Sequence, residues 1–82
     1  MPTLRLFAAA REAAGRSVDE VPGSTVTEVL DAARARYGAA FTEVLATSGV
    51  WVNGEPVDDD TPVGDADEVA VLPPVSGGMV SR

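Results

Sequence analysis

Hydrophobic and polar residues alternate in two short segments, one near each end of the chain. In residues 3–7 the two leucines share one face, and in residues 68–72 the two valines do. A period of two residues is that of a strand with one buried face. The alternation therefore predicts a first strand over residues 3–7 and a last strand over residues 68–72, which ends at Pro73-Pro74.

The strongest helical pattern follows Thr25. Thr25 and Glu28 have capping-box spacing, in which the threonine hydroxyl accepts a hydrogen bond from the Glu28 amide and the glutamate reaches back to the cap. Gly38 is expected to end the helix in a left-handed conformation. The apolar residues between them recur at helical spacing on one face, and they are Val26, Val29, Leu30, Ala33 and Tyr37.

Weaker patterns predict the remaining elements. The alanine-rich residues 8–14 favour a helix that ends at Gly15. Asn53-Gly54 is typical of a tight hairpin turn, and Pro56, which lacks an amide hydrogen, requires the returning strand to be short or to lie at an edge. We also expect a strand over residues 17–21, a short helix over residues 41–46, a strand over residues 50–52 and an acidic loop over residues 58–67.

This order of elements favours an α+β fold. A mixed sheet of four to five strands, crossed by one main helix, buries the apolar faces with a single covering layer. The first and last strands are expected to lie side by side and parallel at the centre of the sheet. A chain of 82 residues supports one domain. We place this domain at residues 1–75 and a flexible C-terminal tail at residues 76–82.

The amino-acid composition limits the reactions that the side chains can catalyse. The sequence has no cysteine, histidine or lysine, and its six basic residues are all arginine. The usual nucleophiles, proton shuttles and soft metal ligands are therefore missing, so we predict no metal site, no bound cofactor and no catalysis by the chain alone. The run Asp58-Asp59-Asp60 lacks the alternating ligands of a calcium loop and is interpreted as a solvated turn.

The net charge and the hydropathy limit the kinds of partner that the chain can bind. The net charge of −7 argues against nucleic acid, because phosphate contacts need clustered basic residues, and it suits a basic protein. Asp65, Asp67 and Glu68 beside the last strand either orient the tail against such a partner or are simply solvated. No apolar run approaches the roughly 20 residues of a membrane span. We therefore expect no membrane contact and a cytoplasmic location, with which the lack of disulfides is consistent.

Three segments carry a resemblance to a known family. DEVAVLPPVSGG, residues 67–78, resembles the C-terminal end of the MoaD family, the small subunits of molybdopterin synthase. LRLFAAAREAAG, residues 4–15, resembles that family's first strand and helix, and VNGEPV, residues 52–57, resembles its central hairpin. The likeness spans nearly the whole chain in the right order. Because the MoaD and ThiS families and ubiquitin share the β-grasp fold, the resemblance implies a ubiquitin-like β-grasp domain.

The resemblance also implies an activity centred on Gly77-Gly78. In such sulfur carriers a ubiquitin-activating-like adenylyltransferase uses ATP to adenylate the carboxylate of the last glycine, which is then converted to a thiocarboxylate. A molybdopterin synthase large subunit of the MoaE type, or another sulfur-accepting enzyme, receives the sulfur. The chain would be the sulfur-donating subunit or co-substrate of a synthase, with Gly78 carrying the sulfur and Gly77 passing through a channel too narrow for side chains.

The sequence departs from this pattern after Gly78. It continues through residues 79–82, so the Gly78 carboxyl is part of an internal peptide bond as written. We expect a peptidase, such as a JAMM-type metalloprotease, to remove residues 79–82; a tolerated read-through is the alternative. Extended residues span about 3.3 Å each, so residues 75–78 would reach roughly 13 Å beyond the domain.

Partner contact is predicted on the outer face of the sheet and at the base of the tail. Trp51 alternates out of phase with its valine neighbours, which places it on the outer face or, alternatively, under a neighbouring loop. Phe7 and Leu72 belong to the same face, although core packing or a plug at the strand end is the favoured interpretation for Phe7. The predicted partner-binding residues are Phe7, Trp51, Leu72, Pro73, Pro74, Val75 and Ser76.

Three functions remain open at this point. The favoured function is the small subunit of molybdopterin synthase in molybdenum cofactor biosynthesis. The second is the same carrier chemistry in another route, to cysteine, thiamin or a sulfur-containing natural product, together with a processing metalloprotease. The third is a ubiquitin-like protein modifier or binding domain.

Overall fold

Residues 1–74, which the computed structural model describes, form a five-stranded sheet with three helices. The predicted site residues Val75, Ser76, Gly77 and Gly78 lie outside the described residues. The elements are β1 Thr3–Leu6, α1 Ala8–Ala14, β2 Val18–Glu20, α2 Val26–Tyr37, α3 Ala39–Ala46, β3 Gly49–Val52, β4 Glu55–Pro56 and β5 Glu68–Leu72. Each strand and helix predicted from the pattern is therefore present.

The first and last strands form the centre of the sheet. The strand order is β2-β1-β5-β3-β4, and β1 and β5 are parallel, with Leu4 opposite Val69 and Leu6 opposite Val71. The other neighbouring pairs are antiparallel. The parallel central pair is confirmed, and so is the α+β class: a mixed sheet crossed by one main helix is the β-grasp arrangement.

One face of this sheet is buried under all three helices. The inward-facing leucines of β1 and valines of β5 pack against apolar residues of the helices, and no polar or charged residue within residues 1–74 is buried. Full burial of one such side chain is worth about 1.5–3 kcal/mol. The buried core consists of Leu4, Leu6, Ala10, Val21, Val26, Val29, Leu30, Ala33, Phe41, Leu45, Val52, Val63, Val69 and Val71.

The main helix α2 begins and ends close to the predicted residues, with two differences in detail. The Thr25 hydroxyl accepts a hydrogen bond from the Glu28 amide at 3.2 Å, as the capping box requires. The Glu28 carboxylate, however, accepts from the amide and hydroxyl of Ser24, one residue before the cap. Gly38 has φ 93° and ψ −165°, which is not the left-handed helical conformation predicted for it. It joins α2 directly to α3.

The two tight turns follow the predicted chemistry. Gly15 ends α1 with φ 80° and ψ 15°, in the left-handed conformation. Asn53 and Gly54 both have positive φ, 53° and 86°, as a two-residue hairpin turn between β3 and β4 requires. Pro56 lies in β4, which is both short and at an edge of the sheet. The pattern of the hairpin was therefore sufficient to fix its geometry.

Two boundaries differ from the prediction. α3 begins at Ala39 rather than at residue 41, because the Gly38 carbonyl accepts the first helical hydrogen bond from Thr42. β2 is the shorter segment Val18–Glu20, yet Ser17 and Val21 still hydrogen-bond to the neighbouring strand, so the ladder reaches the predicted bounds. None of the helices within residues 1–74 is long and apolar enough to cross a bilayer.

Candidate functional site

The predicted tail begins at the end of the central strand β5. Leu72, the last residue of β5, pairs with Gly49, and on the other side the Phe7 amide donates to the Val71 carbonyl at 3.3 Å. Pro73 is half-buried and Pro74 is exposed. The described part of the chain thus ends at Pro74, between the end of β1 and the start of β3.

The outer face of the sheet, opposite the helices, carries a continuous row of side chains. Strand register places these residues side by side, from one edge of the sheet to the other. Val18 at one end of the row and Trp51 near the other are 44% and 39% exposed. In order across the sheet, the row is Val18, Arg5, Ala70, Trp51 and Pro56.

Trp51 lies on this outer face, next to the base of the tail. A Cβ atom added to Gly49 would lie 3.8 Å from Trp51 Nε1, so the indole ring lies over the glycine. Gly49 is paired with Leu72. The indole therefore lies beside the last residue of β5, and Trp51 and Leu72 occupy adjacent parts of one surface.

Phe7 is exposed on the same face, which corrects the prediction that it packs in the core or plugs the strand end. It continues the alternation of β1 on the side of Arg5, and 42% of it is exposed. All three helices cover the opposite face, and Phe7 is not part of the buried core. Phe7, Leu72 and Trp51 together are called the outer patch below.

The carboxylates at the start of β5 have partners within the domain. Asp65 pairs with the N-terminal amine at 2.7 Å, and Glu68 pairs with Arg5 on the outer face. Asp67 accepts hydrogen bonds from the Asn53 side chain and the Gly64 amide, which lower its pKa. These three side chains lie at the opposite end of β5 from Pro73. Whether they orient the tail stays a prediction, because residues 75–78 lie outside the described residues.

Asp19 is the centre of a polar cluster that the sequence did not reveal. Its carboxylate, only 13% exposed, accepts from the Tyr37 hydroxyl, Arg36 and the Glu20 amide, and it pairs with Arg16 at 3.2 Å. The Tyr37 hydrogen bond, with help from both arginines and the amide, lowers the pKa of Asp19 to about 2. Burial and Asp19 raise the pKa of Tyr37 to about 12. The cluster ties the edge strand β2 to α2.

The acidic loop does not assemble a metal site. Asp58, Asp59 and Asp60 are all exposed, and the Asp59 carbonyl accepts from the Thr27 amide at 2.8 Å. Within residues 1–74 no group of three or more His, Cys, Asp or Glu side chains could hold a metal ion.

Comparison with known proteins identifies the group to which this architecture belongs. The model of the ThiS family matches residues 4–78. The structure is similar to small archaeal modifier protein 1 from Methanosarcina acetivorans, with 30% identity, a TM-score of 0.83, and 93% of this chain and 94% of the other covered.

Two further similarities are to a putative molybdopterin converting factor subunit and to a chain of a two-protein complex. A putative molybdopterin converting factor subunit 1 from Pyrococcus furiosus is 30% identical, with a TM-score of 0.76 and coverage of 89% and 95%. A chain of the Amycolatopsis orientalis BexX/CysO complex is 26% identical, with a TM-score of 0.81 and coverage of 95% and 100%. The family match spans nearly the whole chain: this protein belongs to the ThiS family of ubiquitin-like sulfur carriers.

Proposed function

We propose that this protein carries sulfur as a thiocarboxylate on Gly78, after removal of residues 79–82 and adenylation of the exposed carboxylate. The observation that carries the proposal is the end of the family match: it stops at Gly78, so residues 79–82 lie beyond the shared region. The position of β5 supports it as well. A central strand that ends at the rim of the sheet gives the arm a rigid base.

The chemistry requires two steps at one carboxyl group, the first at its oxygen and the second at its carbon. A carboxylate oxygen of Gly78 attacks the α-phosphorus of ATP, so pyrophosphate leaves and an acyl-adenylate forms. Hydrosulfide then attacks the carbonyl carbon and expels AMP, which leaves a thiocarboxylate and releases one proton. ATP and the adenylating groups belong to a ubiquitin-activating-like adenylyltransferase. This chain contributes an end without side chains, which can enter a narrow site while the domain stays folded.

The outer patch is the proposed docking surface for the activating and sulfur-accepting partners. Phe7 and Trp51 keep large apolar areas in water on the face that no helix covers, beside the base of the arm. Exposed aromatic residues grouped in this way are typical centres of protein interfaces. Docking here would hold the partner next to the arm, so that residues 73–78 extend directly into its active site.

The pathway proposed first is molybdenum cofactor biosynthesis, with the chain as small subunit of molybdopterin synthase and a MoaE-type large subunit as acceptor. The similarity to the Pyrococcus furiosus subunit supports this route. The similarity to a chain of the Amycolatopsis orientalis BexX/CysO complex supports a carrier that assembles with another protein, which in the second route would be a different acceptor. Rescue of a strain that lacks its molybdopterin synthase small subunit separates the two: rescue favours the first route, and failure with a functional thiocarboxylate favours the second.

A second candidate function, protein modification, is favoured by the similarity to small archaeal modifier protein 1. In that function the activated Gly78 carbonyl would be transferred to lysine amines of other proteins. Mass spectrometry of host proteins would then find lysines that carry the C-terminal residues of this chain. Sulfur transfer without such adducts leaves the carrier function alone.

The direct test of the carrier function is intact-mass measurement. The chain ending at Gly78 is incubated with the host's adenylyltransferase, ATP and sulfide, and we expect the mass to change by one exchange of oxygen for sulfur. The chain that still carries residues 79–82 is the matched control and is expected to keep its mass. If neither chain changes, or if both do, activation at a Gly78 carboxylate is contradicted.

The docking surface is tested separately by binding. Phe7→Ala is expected to weaken binding to the adenylyltransferase by about tenfold, because a central aromatic contact is lost. Val18→Ala, at the far edge of the same face, is the control and is expected to leave affinity nearly unchanged. Isothermal titration calorimetry measures the affinity of each variant for the adenylyltransferase. Equal effects of the two substitutions on affinity would exclude the outer patch as the docking surface.

A further inference from the structure

The edge strand β2 turns part of its backbone away from the sheet. Leu6 N donates to the Ser17 carbonyl, and Val21 N donates to the Pro2 carbonyl. Hydrogen-bonded and non-bonded pairs alternate along an antiparallel ladder, so the residues between these positions follow the same alternation. The amide and carbonyl groups of Val18 and Glu20 therefore point outward, where a free edge can pair with another chain.

At Glu20 both outward groups are already occupied by side chains of the same chain. The Glu20 amide donates to Asp19 Oδ1 at 2.8 Å, and the Glu20 carbonyl accepts from Arg36 Nη1 at 2.9 Å. Arg36 also donates to Asp19 Oδ2 at 2.8 Å. The next outward position is Pro22, which has no amide hydrogen. An incoming strand would thus find two of its contact positions closed.

The side chains that close this edge are held in place from within the domain. Arg36 extends from the last turn of α2, and Asp19 is also bound by Tyr37 and Arg16. Because the carboxylate has donors on both oxygens, it does not need water or another chain to satisfy it. Asp19 and Arg36 are called the β2 latch below.

The opposite edge of the sheet is closed in a different way. In the β3–β4 hairpin, Val57 N donates to the Val50 carbonyl at 3.3 Å, so the alternation turns the backbone of Pro56 outward. A proline at that position offers no donor to a neighbouring strand. The β4 edge is therefore closed by its covalent structure, whereas the β2 edge is closed at Glu20 by side-chain contacts alone.

We propose that the β2 latch prevents a second copy of this chain from pairing with β2 and extending the sheet. Without the latch, two β2 strands from two copies would exchange hydrogen bonds through Glu20 and Val18, and the exposed Val18 side chains would add an apolar contact across the pair. With the latch in place, the Glu20 amide has no hydrogen left to donate and the Glu20 carbonyl already accepts from Arg36, so the chain stays monomeric.

The test opens the latch and measures mass in solution. Asp19→Ala/Arg36→Ala is compared with the native chain by size-exclusion chromatography with light scattering over a concentration series. The native chain is expected to stay at the monomer mass, and the double variant to rise towards twice that mass. The charge-matched control is Asp31→Ala/Arg34→Ala, which removes an Asp–Arg pair within α2, away from β2. This control is expected to stay monomeric.

A rescue variant separates edge pairing from general loss of stability. Glu20→Pro, added to the opened variant, removes the outward amide without breaking a bond to β1 and is expected to restore the monomer. A dimer that persists after Glu20→Pro, or an opened variant that stays monomeric at every concentration while circular dichroism shows it folded, contradicts the proposal.

Hydrogen exchange of the native chain gives a test that needs no variant. The Glu20 amide is expected to exchange about tenfold more slowly than the Val18 amide, because a hydrogen bond to a carboxylate must break first. Both amides face the same side of the same strand. Equal exchange rates would show that Glu20 is free in solution, and the latch would then have no role even if the opened variant unfolds.

Discussion

The two faces of the sheet are built from the same strands but differ in their side chains and in the exposure of those side chains. The inner face holds Leu4, Leu6, Val69 and Val71, all buried against the helices. The outer face holds aromatic residues in water and an arginine paired with a glutamate. The inner face lies in the core, whereas Phe7 and Trp51 on the outer face keep 42% and 39% of their surface exposed.

This difference separates what the domain needs from what its partners need. A buried Leu or Val is explained by the core alone. The core does not explain an exposed Phe and an exposed Trp beside the base of the arm. The domain would still fold with smaller or polar residues at these two positions. Substitutions on the two faces test this contrast, and they are given from the largest expected effect on stability to the smallest.

Leu4→Ala should cost the most, about 3 kcal/mol of unfolding free energy, because it leaves a cavity in the inner face. Phe7→Ala removes more atoms from the outer face but should cost less than about 1 kcal/mol. Urea unfolding monitored by circular dichroism compares the two variants. Equal losses would mean that Phe7 belongs to the core, and the contrast between the faces would fail.

Gly23→Ala should cost about 2 kcal/mol, because Gly23 lets the chain approach the helix that covers the inner face. Its φ is +153°, and an added Cβ would lie 2.6 Å from Val29 N and 2.8 Å from Val29 Cγ2. Gly64→Ala is the control, since its Cβ would meet only the Asp67 carboxylate, at 3.9 Å. A small loss of unfolding free energy for Gly23→Ala in the same urea experiment would show that α2 can move away from residue 23 at little cost.

Asp19→Asn should cost about 1 to 2 kcal/mol near neutral pH, with a pH dependence of defined sign. The pKa of Asp19 is lowered from 3.8 to about 2 in the folded state, so the unfolded chain binds the proton more readily. The contribution is complete above about pH 4 and is lost as pH falls towards 2. The difference in unfolding free energy between native and variant should therefore shrink over that range; a constant difference would contradict it.

Ala8→Gly should have the smallest effect, a gain of about 0.5 kcal/mol. Ala8 follows Phe7 at the start of α1 with φ 50°, which an L-residue adopts at a cost and glycine adopts freely, although glycine is more flexible when unfolded. Ala9→Gly, the next helical position, should instead lose stability, by about 1 kcal/mol. Thermal melts of the pair check the sign, and a loss for both would show that Ala8 carries no strain.

The sequence predicted the inner face better than the outer one, for a physical reason. Alternation and helical spacing report which side chains share a face, and Leu4, Val69 and the α2 stripe were all placed correctly. The same alternation assigned Phe7 to the outer side, but it contains no information on whether another layer covers that side. The exposure of Phe7 therefore needed the structure.

Contacts between distant residues were also beyond the sequence. Asp19 meets Arg36 and Tyr37 only because the fold brings β2 beside the end of α2. Asp65, Asp67 and Glu68 were close to the tail along the chain but lie at the other end of β5. The diglycine was found by resemblance, and its chemistry stays a prediction because residues 75–82 lie outside the described part.

The most direct test of the account is ATP–pyrophosphate exchange by the host's adenylyltransferase, which reports formation of the acyl-adenylate. The chain ending at Gly78 is predicted to stimulate exchange, and Phe7→Ala in that chain is predicted to require about tenfold more protein for the same rate. The chain that retains residues 79–82 is predicted to give none. Exchange that is absent with the Gly78-ending chain, or present with the longer one, would contradict activation at Gly78.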